Sequence, residues 1–357
     1  MDYFKKYIKY KHKYLKLRSQ IGGSSKSFCC SDNNNKCFDI RFTIPKLKNK
    51  HYAIVTLLMI NDSYLPAVLT LGYSIRKIAP DLSKQIDLVC MVTPDITEQA
   101  KKDILTIYDK VIEINYIEIK PENIHHKDVN IRKIYGKTFT KINCLKLVQY
   151  KKIIFIDADM IVVKPELFSL FNLKTPAGIY RGCSKPYTSE GVKKFNDLYC
   201  NEIRHGKKIN SKFITEDIDG KCKGDAFGGV ESTLLVLKPN MKDYNGMIEM
   251  MKKLENKKIL NGDTYLFTFY YKNQWYDIDL RFDGGWTNPN EHPEIITVDL
   301  YGNQGKPWDL DKVKSISNYP DVKYWISKYK EYYNEFFKEH CEHKDLKKIM
   351  NFYENLK

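Results

Sequence analysis

The strongest constraint on this chain is the alternation of short apolar runs with amphipathic stretches between residues 52 and 163. Tyr52-Ala53-Ile54-Val55-Thr56-Leu57-Leu58 reads as a strand. Tyr64 to Ile78 then reads as a helix stopped by Pro80, Ile86 to Val92 as a strand, and Ile96 to Ile107 as a helix announced by Thr93-Pro94-Asp95. A short strand, Val111-Ile112-Glu113-Ile114, precedes a helix from Thr140 to Gln149 and a further strand from Lys152. Such alternation specifies an α/β fold with a parallel sheet covered on both faces. The first βα turn carries Asn61-Asp62-Ser63 instead of GxGxxG, so a dinucleotide fold of the NAD type is not supported.

The last of these strands ends in Asp157-Ala158-Asp159. Residues i and i+2 of an extended segment point the same way, and two carboxylates aimed together repel unless a cation sits between them. A hard divalent ion with oxygen ligands is the natural cation. The carboxyl end of a strand in an α/β sheet is also where ligands bind. The pair therefore reads as a metal–phosphate site.

Beyond it the pattern loosens. Residues 180–227 are polar, lysine-rich and punctuated by glycine, too long for an ordinary connection, and read as a lid or acceptor-binding insertion. Leu234-Leu235-Val236-Leu237 and Ile295-Ile296-Thr297-Val298 read as strands, and 241–256, 262–271 and 322–356 as helices. Residues 1–21 read as a basic amphipathic helix and 22–50 as a linker. The resulting division is an N-terminal appendage and linker (1–50), a main domain (51–310) and C-terminal helices (311–357).

Net charge is +15, of which +6 lies in residues 1–25. The excess suits an anionic partner such as a nucleotide phosphate, a nucleic acid or a membrane surface. It is equally what a composition rich in Lys, Ile, Asn and Tyr produces. Nine scattered cysteines, with no CxxC pair in the Cys29-Cys30…Cys37 cluster, imply a reducing compartment and no zinc site there. Cys90 and Cys144 read as buried free thiols. No run of 18 apolar residues exists to span a membrane, and the N-terminus is too polar for a signal peptide. A cytoplasmic protein, not a secreted one, is expected.

Thr138-Phe139-Thr140-Lys141-Ile142-Asn143-Cys144-Leu145-Lys146, running on into Asp157-Ala158-Asp159, resembles glycogenin and its relatives in glycosyltransferase family 8. The resemblance covers roughly residues 52–310. It implies the GT-A (Rossmann-like) fold and a retaining, Mn²⁺-dependent enzyme, with Mg²⁺ as the other candidate ion. That enzyme would transfer a hexose, glucose first, from a UDP-sugar to a hydroxyl of a protein or glycan. Family members often pair, which implies a homodimer. The lysine- and tyrosine-rich leader also resembles those of giant DNA virus proteins, which would place the chain in host cytoplasm or virion.

Residue by residue, the resemblance gives Asp157 and Asp159 the metal, and Lys141 and Arg132 the phosphates and sugar of the donor. Leu58 and Ile60 would line the uracil pocket, Asn61 would hydrogen-bond the nucleoside, Tyr64 would stack on the base, and Ala158 would let backbone approach the ribose. Gly262-Asp263-Thr264 matches the family's Gly-Asp-Gln turn, with Asp263 on the acceptor side of the sugar and Thr264 beside it. Gly302-Asn303-Gln304-Gly305-Lys306-Pro307-Trp308 resembles the family's closing motif. Lys306 would reach the diphosphate, and Gly302 and Gly305 would let backbone come close. Three departures stand out. Asp299 occupies the place of a histidine third ligand, Glu231 the place of an asparagine near the sugar, and the segment bearing glycogenin's self-glucosylated tyrosine is missing.

Two other readings remain open from the residues: a haloacid-dehalogenase-like phosphohydrolase using the DxD pair, and a basic protein that binds nucleic acid or a membrane surface. The first wants a small hydroxyl residue soon after the pair, where Met160-Ile161 stands. The second finds no basic–aromatic motif in the core, so nucleic acid is not the expected partner.

Overall fold

The structure is a computed structural model that describes residues 27–29, 37–39, 42–47, 50–126, 128–180, 205–214, 229–254, 257, 259, 262–285, 287–300 and 305–355. The expected basic helix 1–21, most of the 180–227 insertion, and Gly302 lie outside the described residues. The chain divides into two compact units. The first comprises residues 1–44, 117–146 and 172–279, and the second residues 45–116, 147–171 and 280–357. The pairings are mostly parallel and flanked by helices, the α/β, GT-A-like architecture that the alternation and the resemblance called for.

The first unit opens with an antiparallel pair, β1 (Ser27–Cys29) and β2 (Cys37–Asp39), which corrects the expectation of a bare linker over 22–50. The second unit holds β3 (Tyr52–Leu58), β4 (Asp87–Val92), β5 (Lys110–Glu113) and β6 (Lys152–Ile156). These pair in parallel in the order β6-β3-β4-β5. Ile54 faces Leu88 on one side and Ile154 on the other, and all three are buried. That burial on both faces is why β3, β4 and β6 read as nearly unbroken apolar runs instead of alternating ones.

Helix α1 (Leu65–Ile78) follows a 3₁₀ turn, Asp62–Tyr64, which Asn61 caps by accepting a hydrogen bond from the Ser63 amide. Pro80 does not simply end this helix; it opens a single further turn, Pro80–Ser83. Helix α2 (Glu98–Leu105) starts at Thr97, whose hydroxyl accepts from the Ala100 amide. After β6 the chain makes a tight turn, in which the Met160 amide donates to the Asp157 carbonyl, and enters β7 (Met160–Val162). Ser74 of α1 accepts from the Val162 amide at 3.1 Å and so fixes that strand against the helix.

The first unit continues with α3 (Val129–Lys137), capped by Asp128, which runs straight into a 3₁₀ segment, Thr138–Lys146. An α-helix over 140–149 was expected here. Thr140 instead bonds its hydroxyl to both the amide and the carbonyl of Ile117, and Asn143 donates to the Thr140 carbonyl. Side chains that bond nearby backbone compete with the regular helix ladder.

In the same unit, β8 (Ala177–Tyr180) lies between β9 (Val230–Leu237), antiparallel to it, and β10 (Tyr276–Asp277), parallel to it. The register jumps: Ile179 faces Glu231, but Gly178 faces Leu235. Residues 232–234 therefore form a bulge, a device common beside functional sites. Helices α4 (Met241–Leu254) and α5 (Asp263–Tyr270) complete this unit.

The second unit closes with β11 (Thr297–Asp299), antiparallel to β7, and the helices α6 (Pro320–Tyr332) and α7 (Lys344–Glu354). Trp325 of α6 stacks on Tyr329 at 5.0 Å between ring centroids. Cys90 and Cys144 are buried free thiols, as expected, and no described helix is long and apolar enough to cross a membrane.

Gly72 of α1 faces the ring of Tyr108, whose hydroxyl donates to the Val68 carbonyl at 2.8 Å. A Cβ at position 72 would come within 2.4 Å of that buried ring. Gly72→Ala is therefore expected to destabilise the protein by about 1–3 kcal/mol through overpacking, read as a lower midpoint in chemical denaturation with an unchanged slope.

Candidate active site

β3 and β6 are adjacent and parallel, so their carboxyl ends deliver two turns to one edge of the sheet. β3 ends at Leu58, which is buried, and two residues on comes Ile60 with φ at +79°. A β-branched residue in that region is strained. It is held there because the Ile60 amide donates to the Tyr116 hydroxyl at 2.9 Å and to Thr93 Oγ1 at 3.3 Å. Asn61 is exposed beyond it, its side-chain oxygen committed to capping the next turn. Tyr64 closes the turn and meets the Trp308 ring edge-on at 4.8 Å. Burial pushes the Tyr64 phenol up to about 12 against the opposing pull of the Lys306 ammonium, so it stays a neutral donor.

After β6 stand Asp157, Ala158 and Asp159. β6 ends at Ile156, so the carboxylates lie on a turn and not on an extended strand. The expectation that they project together as residues i and i+2 of a strand is corrected accordingly. A cation that offsets the charge of Asp159 is part of the chain itself: Lys306 Nζ lies 2.8 Å from Asp159 Oδ2 and also donates to the Leu300 carbonyl. Although burial opposes its charge, Asp159 foremost, with Tyr64 and Asp299, holds the Lys306 ammonium above the usual lysine range. Gly305, just before it, has φ at +129°, and a Cβ there would come within 2.7 Å of Lys312. Only glycine allows this approach of the lysine to Asp159.

Asp299 ends β11 opposite Met160, and the Leu300 amide donates to the Asp159 carbonyl at 3.1 Å. The backbone thus carries Asp299, buried, beside the Asp157–Asp159 turn. Among the described residues, however, no three acidic, histidine or cysteine side chains converge closely enough to hold a metal ion.

The first unit holds a second cluster. Lys141, in the 3₁₀ segment, is 5 % exposed, and its Nζ lies 2.9 Å from Asp263 Oδ2, itself on a residue 5 % exposed. The same ammonium donates to the Ser232 carbonyl at 3.0 Å and the Ser232 hydroxyl at 3.3 Å. Ser232 Oγ in turn lies 2.7 Å from Thr264 Oγ1, and the Asp263 amide donates to Thr138. A solvated surface lysine is thereby excluded for position 141. Glu231 precedes Ser232 on β9, at the edge of the bulge, and is half-buried. Arg132 is half-buried on α3, with its Nε buried and unbonded among the described residues.

Sequence reasoning missed Ser232, Thr93 and Tyr116. Ser232 reaches Lys141 only because of the bulge, and the other two act through folded contacts across 33 and 56 positions, so no local pattern announces any of the three.

Comparison with known proteins adds four findings. Residues 55–311 match the family described as glycosyl transferase family 8. An uncharacterized protein of Acanthamoeba polyphaga mimivirus is 27% identical over 237 residues, covering 66% of this chain and 69% of its own length. Glycogenin of Neurospora crassa is 35% identical over 117 residues, covering 32% of this chain and 16% of that protein. Of solved structures, the galactosyltransferase LgtC with donor and acceptor sugar analogs aligns over 77% of this chain and 94% of its own at 12% identity, with a TM-score of 0.48.

Removing one member of a buried ion pair strands the other. Lys141→Met or Asp263→Leu alone is expected to cost about 3–5 kcal/mol, whereas the double variant Lys141→Met/Asp263→Leu should cost far less than the sum of the two single changes. Chemical denaturation of the four proteins in that cycle gives the coupling directly.

Proposed function

The chain belongs to glycosyl transferase family 8, and we propose that it moves a hexose, glucose in the first instance, from a UDP-sugar to a hydroxyl of a protein or glycan, with retention at the anomeric carbon. The observation that carries this reading is the convergence, at the carboxyl ends of two adjacent parallel strands, of the Asn61–Tyr64 turn and the Asp157–Asp159 turn, with Lys306 brought to the latter. That end of an α/β sheet is where nucleotides bind.

On this reading Leu58 and Ile60 form the apolar floor for the base, while Asn61 and Tyr64 flank it. The Tyr64 ring, steadied edge-on by Trp308, offers a face that any base accepts, so selectivity falls to the polar groups. The strained Ile60 backbone fixes where the turn points. Ala158, buried between the two acids, leaves room for the ribose. Lys306, held cationic, faces the diphosphate and offsets the charge that builds there as the glycosidic bond breaks.

By their match to the family motif, Asp157, Asp159 and Asp299 would supply the carboxylate oxygens that a hard divalent ion takes, Asp299 in the place of a histidine, although the three side chains are not gathered around one point in this structure. These residues would hold Mn²⁺ or Mg²⁺, which when bound neutralises charge on the leaving diphosphate. Lys141 and Asp263 take the sugar and the acceptor side by their match to the family motif, with Arg132 approaching the donor. Thr264 and Ser232 fix the Lys141–Asp263 pair by hydrogen bonds. In the transfer, the bond from the anomeric carbon to the diphosphate oxygen breaks and one to the acceptor oxygen forms on the same face. The acceptor proton passes to the departing diphosphate. Glu231, a carboxylate where relatives carry an amide, makes the sugar pocket more acidic and so less hospitable to acidic sugars.

A panel of UDP-sugars with Mn²⁺, scored for UDP release with and without acceptors, tests the proposal. UDP release that is abolished by chelation, and lowered on the order of a hundredfold by Asp159→Asn, is expected. Release of phosphate from simple monoesters, with no UDP formed from any donor, would replace it with the phosphohydrolase reading.

A further inference from the structure

The family match ends at residue 311, but the chain continues into α6 and α7, and α7 bonds to the rest of the second unit at both of its ends. At its start, His343 caps the helix: its Nδ1 accepts from the Asp345 amide at 3.4 Å. That leaves the ring proton on Nε2, which lies 3.2 Å from Asp62 Oδ2. Asp62 is one of the residues between Asn61 and Tyr64, and it also accepts from the hydroxyl and amide of Thr97 at 2.6 and 3.1 Å. The side chains of His343 and Asp62 are only 10% and 12% exposed. The strand of chain leading into the helix is fixed as well. Buried Asp103 of α2 accepts from the Glu342 and His343 amides at 3.0 and 2.8 Å.

At the other end of α7, Tyr353 is fully buried and donates its hydroxyl to the carbonyl of Pro307, the residue after Lys306. Its ring packs edge-on against Tyr329 at 6.0 Å and Trp325 at 6.5 Å, and Trp325 contacts Trp308 at 5.3 Å. Trp308 is the residue that meets Tyr64. One rigid helix therefore bonds at its start to the turn after β3 and at its end to the turn bearing Lys306. Ten residues of helix separate the two anchors by about 15 Å.

We propose that α7 is a strap that sets the spacing between these two turns, and that His343 and Tyr353 are positioning residues for the nucleotide. The proposal rests on the nucleotide-sugar reading of those turns. Neither residue touches the donor; each fixes a backbone segment that does. Releasing either anchor loosens the grip on UDP while leaving the bond-breaking step almost unchanged once donor is saturating.

The test uses the full chain with two conservative variants. Tyr353→Phe keeps the ring and loses only the hydroxyl. His343→Asn keeps a good helix cap but is too short to reach Asp62. Lys77→Gln, which breaks a surface pairing of α1 with Glu331 and Glu335, serves as the control for general C-terminal loosening. Each of the first two is expected to raise the Kd for UDP and the KM for donor about fivefold, with kcat within about twofold. Amide hydrogen exchange should quicken at 60–64 in His343→Asn and at 305–309 in Tyr353→Phe. The control should change none of these. Folded variants with wild-type UDP affinity and wild-type exchange in those segments would overturn the strap. If the wild-type chain itself binds no UDP, the donor reading falls, and the exchange measurement still decides whether α7 holds the two turns.

Discussion

Parallel pairing of β3 with β4 and β6 is the constraint on which the second unit depends. Parallel strands bury both faces, so their charged residues are pushed to their ends. The turns after β3 and β6 leave the sheet at the same edge, and because the two strands are neighbours Asn61–Tyr64 and Asp157–Asp159 arrive there side by side. The strain at Ile60 follows from the same geometry. The chain must change direction sharply as it leaves the sheet, and Tyr116 and Thr93 hold the amide that pays for the turn.

Charge is the second organising force. Asp159 and Lys306 lie 147 positions apart in sequence, yet each makes the other's partial burial tolerable. In the first unit, Lys141 and Asp263 do the same more deeply, with Ser232 and Thr264 supplying the remaining hydrogen bonds. Buried charges of this kind are weak sources of stability, because desolvation opposes the Coulomb gain. Each unit nonetheless carries such a pair, and in each the residues match the glycosyltransferase motif.

Much of the fold was legible. The apolar runs at 52–58, 87–92 and 152–156 are strands because β-branched and aromatic residues in unbroken series suit burial on both faces, and the intervening amphipathic stretches are helices. Local patterning failed where side chains bond backbone. Thr140 and Asn143 divert the expected helix into a 3₁₀ segment, and the Asp157–Asp159 pair sits on a turn because the strand stops at Ile156. Ser232, His343 and Tyr353 carried no signal, since each matters only through a partner far away in sequence.

By itself the sequence determined the α/β class, the resemblance to the family, and the charged residues that its motifs single out: Lys141, Asp157, Asp159, Asp263 and Lys306. These follow from periodicity and from motifs short enough to be read along the chain. Only the tertiary structure decided which acid each lysine pairs with, that position 141 is buried and not a surface charge, and that the last helix braces two turns from both its ends. Those outcomes depend on long-range contacts and on desolvation, which no window of neighbouring residues encodes.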